Sequence, residues 1–301
     1  MLACVLPNYN NINFGNKLYA IFLPAKYFFG IDKTFAVFYL SCFLRKKPDI
    51  FVYLHRILLE TTMIIAKQFR DTLNRIPEGK VFSIRDFDIP QEYQPALVKS
   101  ISRLVADEAI QKVSKGKYYK PRKSVFGTLK PPIMEIVKDF LEWNGKTTGY
   151  ITGTAAFAAM GLTTQITSAI TIGTKQYRRP LKRGDYTVAF ILQPNDITAE
   201  NIPLLCILDA IKLLKKIPAT SPDECTQILE KQIAALSVTD RKRLTELATG
   251  YAPYVRALLG AVLECIGADT FDLRKTLNGT TKYKLPITIQ ALPTKKNWNI
   301  V

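Results

Sequence analysis

The 301-residue sequence predicts an α+β fold, and three observations carry that expectation. Apolar residues recur at helical spacing in short segments between residues 63 and 107, and a glycine-centred pair of strand-like runs follows. Two apolar runs of strand type, near 170–174 and 186–192, come after a further helical segment. From Ile202 onward helical stripes dominate. The order reads as an N-terminal winged helix-turn-helix, then a mixed α/β domain with a mainly helical C-terminal part.

Residues 1–62 stand apart in composition. They hold 13 of the 32 aromatic residues, and Asn clusters at positions 8, 10, 11, 13 and 16. The longest uncharged run after Lys17 is Thr34–Leu44, 11 residues, where a spanning helix needs roughly 20. No basic segment precedes a short apolar core, as a secretory signal requires. The segment is expected to be an N-terminal extension, non-native or disordered, of the kind that translated upstream sequence produces, with the working protein beginning at Met63. No membrane association is expected. Five cysteines (4, 42, 206, 225 and 265) without a C-x-x-C spacing fit reduced, mostly buried thiols in a cytoplasmic protein.

In residues 63–120, Ile64, Ile65, Phe69, Leu73 and Ile76 mark a first helix that Pro77-Glu78-Gly79 ends. Ser83-Ile84-Arg85-Asp86 has the form of a capping box and opens a short second helix, ended by Asp88-Ile89-Pro90. Pro95 suits the first turn of a third helix running to about Asp107. Leu97, Ile101, Leu104 and Val105 share one face of it; Ala96, Lys99 and Arg103 share the opposite one, with Ser100 and Ser102 flanking. Ile110–Val113, a Ser114-Lys115-Gly116-Lys117 turn and Tyr118–Lys120 form a β-hairpin.

From Ile110 to Lys130 there are seven basic residues and no acidic one. Such a surface gains affinity for double-stranded DNA by releasing its counterions. Lys99, Ser100 and Arg103 are the candidates for the major groove, and Lys112, Lys115 and Lys117 for the phosphates. Basic helix faces are also often plain solvated surface, and winged helices also serve as protein-contact modules. The net charge of +17 divides as +4, +7 and +6 over residues 1–62, 63–132 and 133–301, so the middle segment is the most basic for its length.

Residues 121–132, with Gly127, Pro131 and Pro132, read as a basic linker between two segments that each carry a core of their own. Beyond it, residues 133–301 form the second domain. Ile133, Ile136, Val137, Phe140 and Leu141 begin a helix, and Ile170-Thr171-Ile172-Gly173-Thr174 and Tyr186–Leu192 read as strands. Between these strands Lys175, Arg178, Arg179, Lys182 and Arg183 give a basic run with no acid until Asp185. It reads equally as a solvated loop or as a second patch facing nucleic acid or a protein partner. Helices are expected at 202–214, 222–236, 239–248 and 253–266, with Ser237 or Thr239 as a cap, and a turn followed by a strand near 277–285.

The runs Ala96-Leu97-Val98-Lys99-Ser100-Ile101-Ser102-Arg103-Leu104, Ile110-Gln111-Lys112-Val113 and Lys115-Gly116-Lys117-Tyr118-Tyr119-Lys120-Pro121 resemble the N-terminal winged helix of AbiEi-type antitoxins. Those antitoxins belong to type IV toxin–antitoxin and abortive-infection systems. The stretch Gly149-Tyr150-Ile151-Thr152-Gly153, a small-residue helix, Gly161-Leu162-Thr163 and the strand to Thr174 are similar to the same family, so the resemblance spans about Met63 to Thr174. The family usually has a Gly between recognition helix and wing, where this chain has Glu108-Ala109. The resemblance implies a DNA-binding antitoxin and transcriptional autorepressor acting on its own operator. It implies a functional opponent, a nucleotidyltransferase-type toxin, that need not be bound directly. The residues 175, 178, 179, 182 and 183 would be the antitoxicity patch.

The alternative is a plain winged-helix transcription regulator whose second domain senses a ligand or mediates oligomerisation. A nuclease is the third reading. His55 is the only histidine, which removes Ser-His and Cys-His catalysis from everything after it. No P-loop and no G-x-S-x-G occurs. Asp240-Arg241-Lys242 and Glu78-Gly79-Lys80 match short nuclease patterns by chance, without a strand and a second acid beside them. The expectation is a non-enzyme with no cofactor and no metal site.

Overall fold

The structure, a computed structural model, describes residues 63–125 and 127–301. The N-terminal extension, with His55, Cys4 and Cys42, lies outside the described residues. The architecture is α+β. Helix α1 covers 63–75, followed by strand β1 (Val81–Ser83) and two 3-10 turns, Ile84–Asp86 and Gln91–Tyr93. Helix α2 (Gln94–Ala106) and strands β2 (Gln111–Ser114) and β3 (Lys117–Tyr119) complete this part. The three strands form one antiparallel sheet in the order β1-β3-β2, with Tyr119 opposite both Val81 and Gln111.

Ser83 caps the first 3-10 turn as the sequence predicts: its Oγ accepts from Arg85 N at 3.2 Å, and its own N–H donates to Asp86 Oδ2 at 2.7 Å. The predicted second helix is shorter than expected, a single 3-10 turn, because Phe87 turns to extended backbone (φ −100°, ψ 122°) directly after Asp86. Strand β1 has no local signal in the sequence, being three residues held mainly by its pairing to β3. In α2, Leu97 and Ile101 face inward and are buried, and Pro95 occupies the first turn.

The end of α2 explains the Glu108-Ala109 position. Ala109 N–H donates to Leu104 O at 3.0 Å and Glu108 N–H to Val105 O at 3.2 Å, a Schellman motif whose left-handed residue is Glu108 at φ 55°. A side chain there costs roughly 1–2 kcal/mol, partly offset by the backbone entropy that glycine would lose on folding. Glu108→Gly should therefore stabilise the protein by up to about 1 kcal/mol, read as a higher urea midpoint at unchanged m-value. A lower midpoint would show that Glu108 has a compensating role.

Residues 121–132 are more structured than a linker. Strands β4 (Arg122–Ser124) and β5 (Gly127–Leu129) pair as a second, exposed hairpin. The expected separate cores are also corrected. Val113 and Tyr119 of the first sheet are buried in one cluster with Ile136, Val137, Phe140, Ile170, Ile172 and Val188. Val81 N–H donates to Glu135 Oε2 at 3.2 Å, Gly184 N–H donates to Val113 O at 2.8 Å, and Lys130 pairs with Asp185. The physical reason is size. A three-stranded sheet this short leaves an apolar face that another layer must cover, and here helix α3 (Ile133–Leu141) and the second sheet do so.

After α3 comes a tight hairpin, β6 (Glu142–Trp143) and β7 (Lys146–Thr147). Asn144 and Gly145 turn it, both with positive φ (49° and 73°), the turn that matches strand twist. The second sheet has β8 (Gly149–Thr152), β9 (Ala169–Thr174), β10 (Leu181–Arg183) and β11 (Tyr186–Leu192) in the order β10-β11-β9-β8. Strands β9 and β11 run parallel, and the outer pairs are antiparallel. Short helix α4 (Thr154–Ala159) follows β8.

The helical part comprises α5 (Ile202–Lys212), α6 (Pro222–Ala235), α7 (Val238–Ala248), α8 (Pro253–Cys265) and α9 (Phe271–Lys275). Ser221 and Glu224 form a capping box on α6, and Ser237, not Thr239, caps α7. Helix α8 is at the centre, buried from Ala257 through Leu263. Gly260 lets the Trp298 ring lie against it: a Cβ there would sit 2.2 Å from the indole. The expected strand near 277–285 is only a single bridge, Tyr283 to Ile300.

Candidate nucleic-acid interface

Helix α2 presents Ala96, Lys99, Ser102, Arg103 and Ala106 to solvent, and no acidic residue lies within it. Lys99 and Arg103 are exposed, as the helical spacing requires. Ser100 is only half-buried rather than outward, and its hydroxyl donates to Ala96 O at 3.1 Å, which occupies its proton. Lys112 and Lys115 are exposed on the β2–β3 hairpin, whose turn uses Gly116 at φ 74°. Lys117 differs: its Nζ pairs with Asp139 Oδ1 at 2.7 Å and its side chain is 22% exposed. It is a tether between hairpin and α3 before it is a phosphate contact.

The second basic run also divides. Lys175 bonds Asp196 at 2.8 Å and Pro194 O at 3.0 Å. Arg178, Arg179 and Lys182 are exposed. Arg183 is not part of a charged surface: it is 6% exposed. Its guanidinium makes a bidentate pair with Asp139 (Nη2 to Oδ2 at 2.7 Å), donates to Ile136 O at 2.6 Å, and lies 4.1 Å from the Phe140 ring centroid. The sequence shows a run of five cations; strand β10, pairing Arg183 opposite Tyr186, turns the last of them inward. Burial raises the Asp139 carboxyl, but the bonds and charges of Arg183 and Lys117 outweigh it, leaving Asp139 below the usual carboxylate range.

One buried polar cluster escaped the sequence reading. Asp209, fully buried on α5, accepts from Tyr150 Oη at 2.6 Å, Thr152 Oγ1 at 2.8 Å and Tyr251 Oη at 2.9 Å. Gln193 Nε2 donates to both tyrosine oxygens, at 2.8 and 2.7 Å. Burial pushes the Asp209 carboxyl up against the pull of these three hydroxyls and of Lys212. The same burial, with Asp209 adjacent, raises both tyrosines. The cluster joins β8, the end of β11, α5 and the start of α8. It is a structural lock rather than a site, because every member is shielded from solvent. It accounts for Tyr150 and Thr152 in the Gly149–Gly153 motif. Gly173 belongs to it as well, since a Cβ there would lie 2.3 Å from the Tyr150 ring.

Among the described residues no three His, Cys, Asp or Glu side chains are grouped to hold a metal ion, and no helix is long and apolar enough to cross a membrane. No curated protein matches the sequence. Among solved structures, the Rv2827c protein from Mycobacterium tuberculosis is similar, at 15% identity and a TM-score of 0.41, over 73% of this chain and 82% of that one. Residues 68–261, more than half of the chain, match the family of unknown function DUF6088. The chain belongs to that family.

Proposed function

We propose that the chain binds duplex DNA through a winged helix-turn-helix, with α2 as recognition helix and the β2–β3 hairpin as wing. The observation that carries this reading is the joint one of topology and charge. The element order helix-strand-turn-helix-strand-strand, with sheet order β1-β3-β2, fits that fold, and an acid-free helix is followed directly by a lysine-bearing hairpin. Lys99 and Arg103 then reach base edges or phosphates, and Lys112 and Lys115 reach phosphates. The test is a titration of a fluorescent duplex from the chain's own promoter at several salt concentrations. Lys112→Ala and Lys115→Ala should each flatten the slope of log K against log salt by roughly 0.9, equally for promoter and random duplex. Lys117→Ala should flatten it less, because Asp139 already neutralises that charge. Unchanged slopes for Lys112 and Lys115 would remove the hairpin from the interface.

We infer, from the family resemblance of residues 96–121 and 149–174, that this binding serves autorepression by an antitoxin in a cytoplasmic type IV toxin–antitoxin pair. The exposed cations Arg178, Arg179 and Lys182 are the remaining candidates for protection against a nucleotidyltransferase-type toxin. Survival of cells expressing such a toxin from the neighbouring gene, with and without this chain, tests the role. Absence of that gene, or of protection, would leave a plain regulator.

A further inference from the structure

We propose that the face formed by the β6–β7 hairpin and the segment after β9 is a second nucleic-acid site, specific for single strands. It is independent of the duplex reading; of that reading's residues only Lys117 enters, and only as a partner of Asp139. An open cleft of about 890 Å³ lies there, lined among others by Trp143, Thr148, Thr174, Gln176 and Arg178. Trp143 stands at the tip of the hairpin with 62% of its surface exposed, and Tyr177 is 82% exposed on the adjoining segment. The tight Asn144-Gly145 turn pairs Trp143 with Lys146 and leaves the residue largely exposed. An exposed indole in a polar setting is a stacking platform for a base that is not paired to another.

The charge of the cleft suits a phosphate backbone. Its two carboxylates are already neutralised from within the protein, Asp139 by Arg183 and Lys117, and Asp196 by Lys175. What remains open is cationic: Arg178, held 5.4 Å from the Phe140 ring centroid, and beyond it Arg179 and Lys182. Phe140 is itself braced edge-on by Phe190 at 5.0 Å, so the Arg178 guanidinium has a rigid support. A stacking ring and a supported cation across one cleft, with threonine and glutamine groups between, recognise one base and its adjoining phosphate. A duplex presents neither an unstacked base nor a ribbon thin enough to follow such a cleft.

The chain supplies its own probe. It has two tryptophans, and the other, Trp298, is 3% exposed, its indole N–H donating to Glu264. Trp143 is therefore the indole that a bound base can quench. Full-length protein is excited at 295 nm and titrated with a twelve-nucleotide oligo-dT, its oligo-U counterpart, and a duplex of equal length. Both single strands should quench the emission in a saturable way; tighter oligo-U would indicate that the 2′-hydroxyl is read. Trp143→Phe should abolish the quench, and Trp143→Ala and Arg178→Glu should each weaken single-strand anisotropy binding about ten-fold or more. Lys99→Glu with Arg103→Glu should leave single-strand binding unchanged, which separates this site from the duplex surface whatever becomes of that one. Circular dichroism checks that each variant is folded. Absence of single-strand binding, or binding indifferent to both Trp143 and Arg178, would overturn the proposal.

Discussion

Asp209→Ala is expected to lower stability by about 3–5 kcal/mol. The change leaves three buried hydroxyls, on Tyr150, Thr152 and Tyr251, without their acceptor, and a stranded buried polar group costs about 1–3 kcal/mol. For a chain of this size that corresponds to a fall in Tm of roughly 10 °C. Asp209→Asn keeps the shape but sets an amide donor against hydroxyls that already donate, so it should cost less than the alanine change and more than a surface change. Tyr150→Phe, removing one donor and leaving Thr152 and Tyr251 on the carboxylate, should cost about 1–3 kcal/mol. The pH dependence has a definite sign. The folded Asp209 carboxyl is raised, so its contribution is fully present below the unfolded value of about 3.9 and declines as pH rises through the folded value. Thermal melts of the wild type and Asp209→Ala across pH would converge on the alkaline side relative to the acid side. A melt of Asp209→Ala within 2 °C of the wild type would refute the lock.

Arg183→Ala should cost about 2–4 kcal/mol, although the sequence places Arg183 in a run of surface cations. The change removes the bidentate bond to Asp139, the bond to Ile136 O and the packing on Phe140. Asp139 retains Lys117 and is partly solvated, which keeps the loss below that of a fully stranded charge. Arg178→Ser, Arg179→Ser and Lys182→Ser together should change stability by less than about 0.5 kcal/mol, being exposed. The acid limb reports the same pair. Asp139 is lowered in the fold, so its contribution is present above about 3.9 and lost as pH falls through the folded value. Arg183→Ala should therefore make the stability less sensitive to acid. Equal melts for Arg183→Ala and the triple serine variant would return Arg183 to the surface.

The elements legible in the sequence are those with local signals. The Ser83 cap, the Pro95 start of α2, the Gly116 hairpin and the helices from 202 to 266 each rest on spacing or turn chemistry within a few residues. The hairpin at Asn144-Gly145 carries such a signal as well, an Asn-Gly pair at the turn. Strands β1 and β10 carried none, since three residues acquire strand geometry only from a distant partner. Exposure was legible for Lys99, Arg103, Lys112 and Lys115, since it follows from helical or hairpin position alone. It was not legible for Lys117 and Arg183, because both are claimed by Asp139, which sits in a helix read only for its apolar stripe. Asp209 was hidden for the same reason: α5 reads as a leucine stripe, and its one acid finds partners 42 to 59 residues away.

In the proposed function the exposed face of α2 reads duplex DNA. The most direct test is the affinity of the Lys99→Glu, Arg103→Glu double variant for the chain's own promoter duplex, at one fixed salt concentration, beside a random duplex. Each position loses an attraction and gains a repulsion, at about 1–3 kcal/mol for each contact, so promoter affinity should fall by roughly 100-fold or more. The preference for promoter over random sequence should shrink with it, while the melting curve stays that of the wild type, both side chains being exposed. Promoter affinity and preference unchanged in the folded double variant would rule out α2 as the helix that reads DNA.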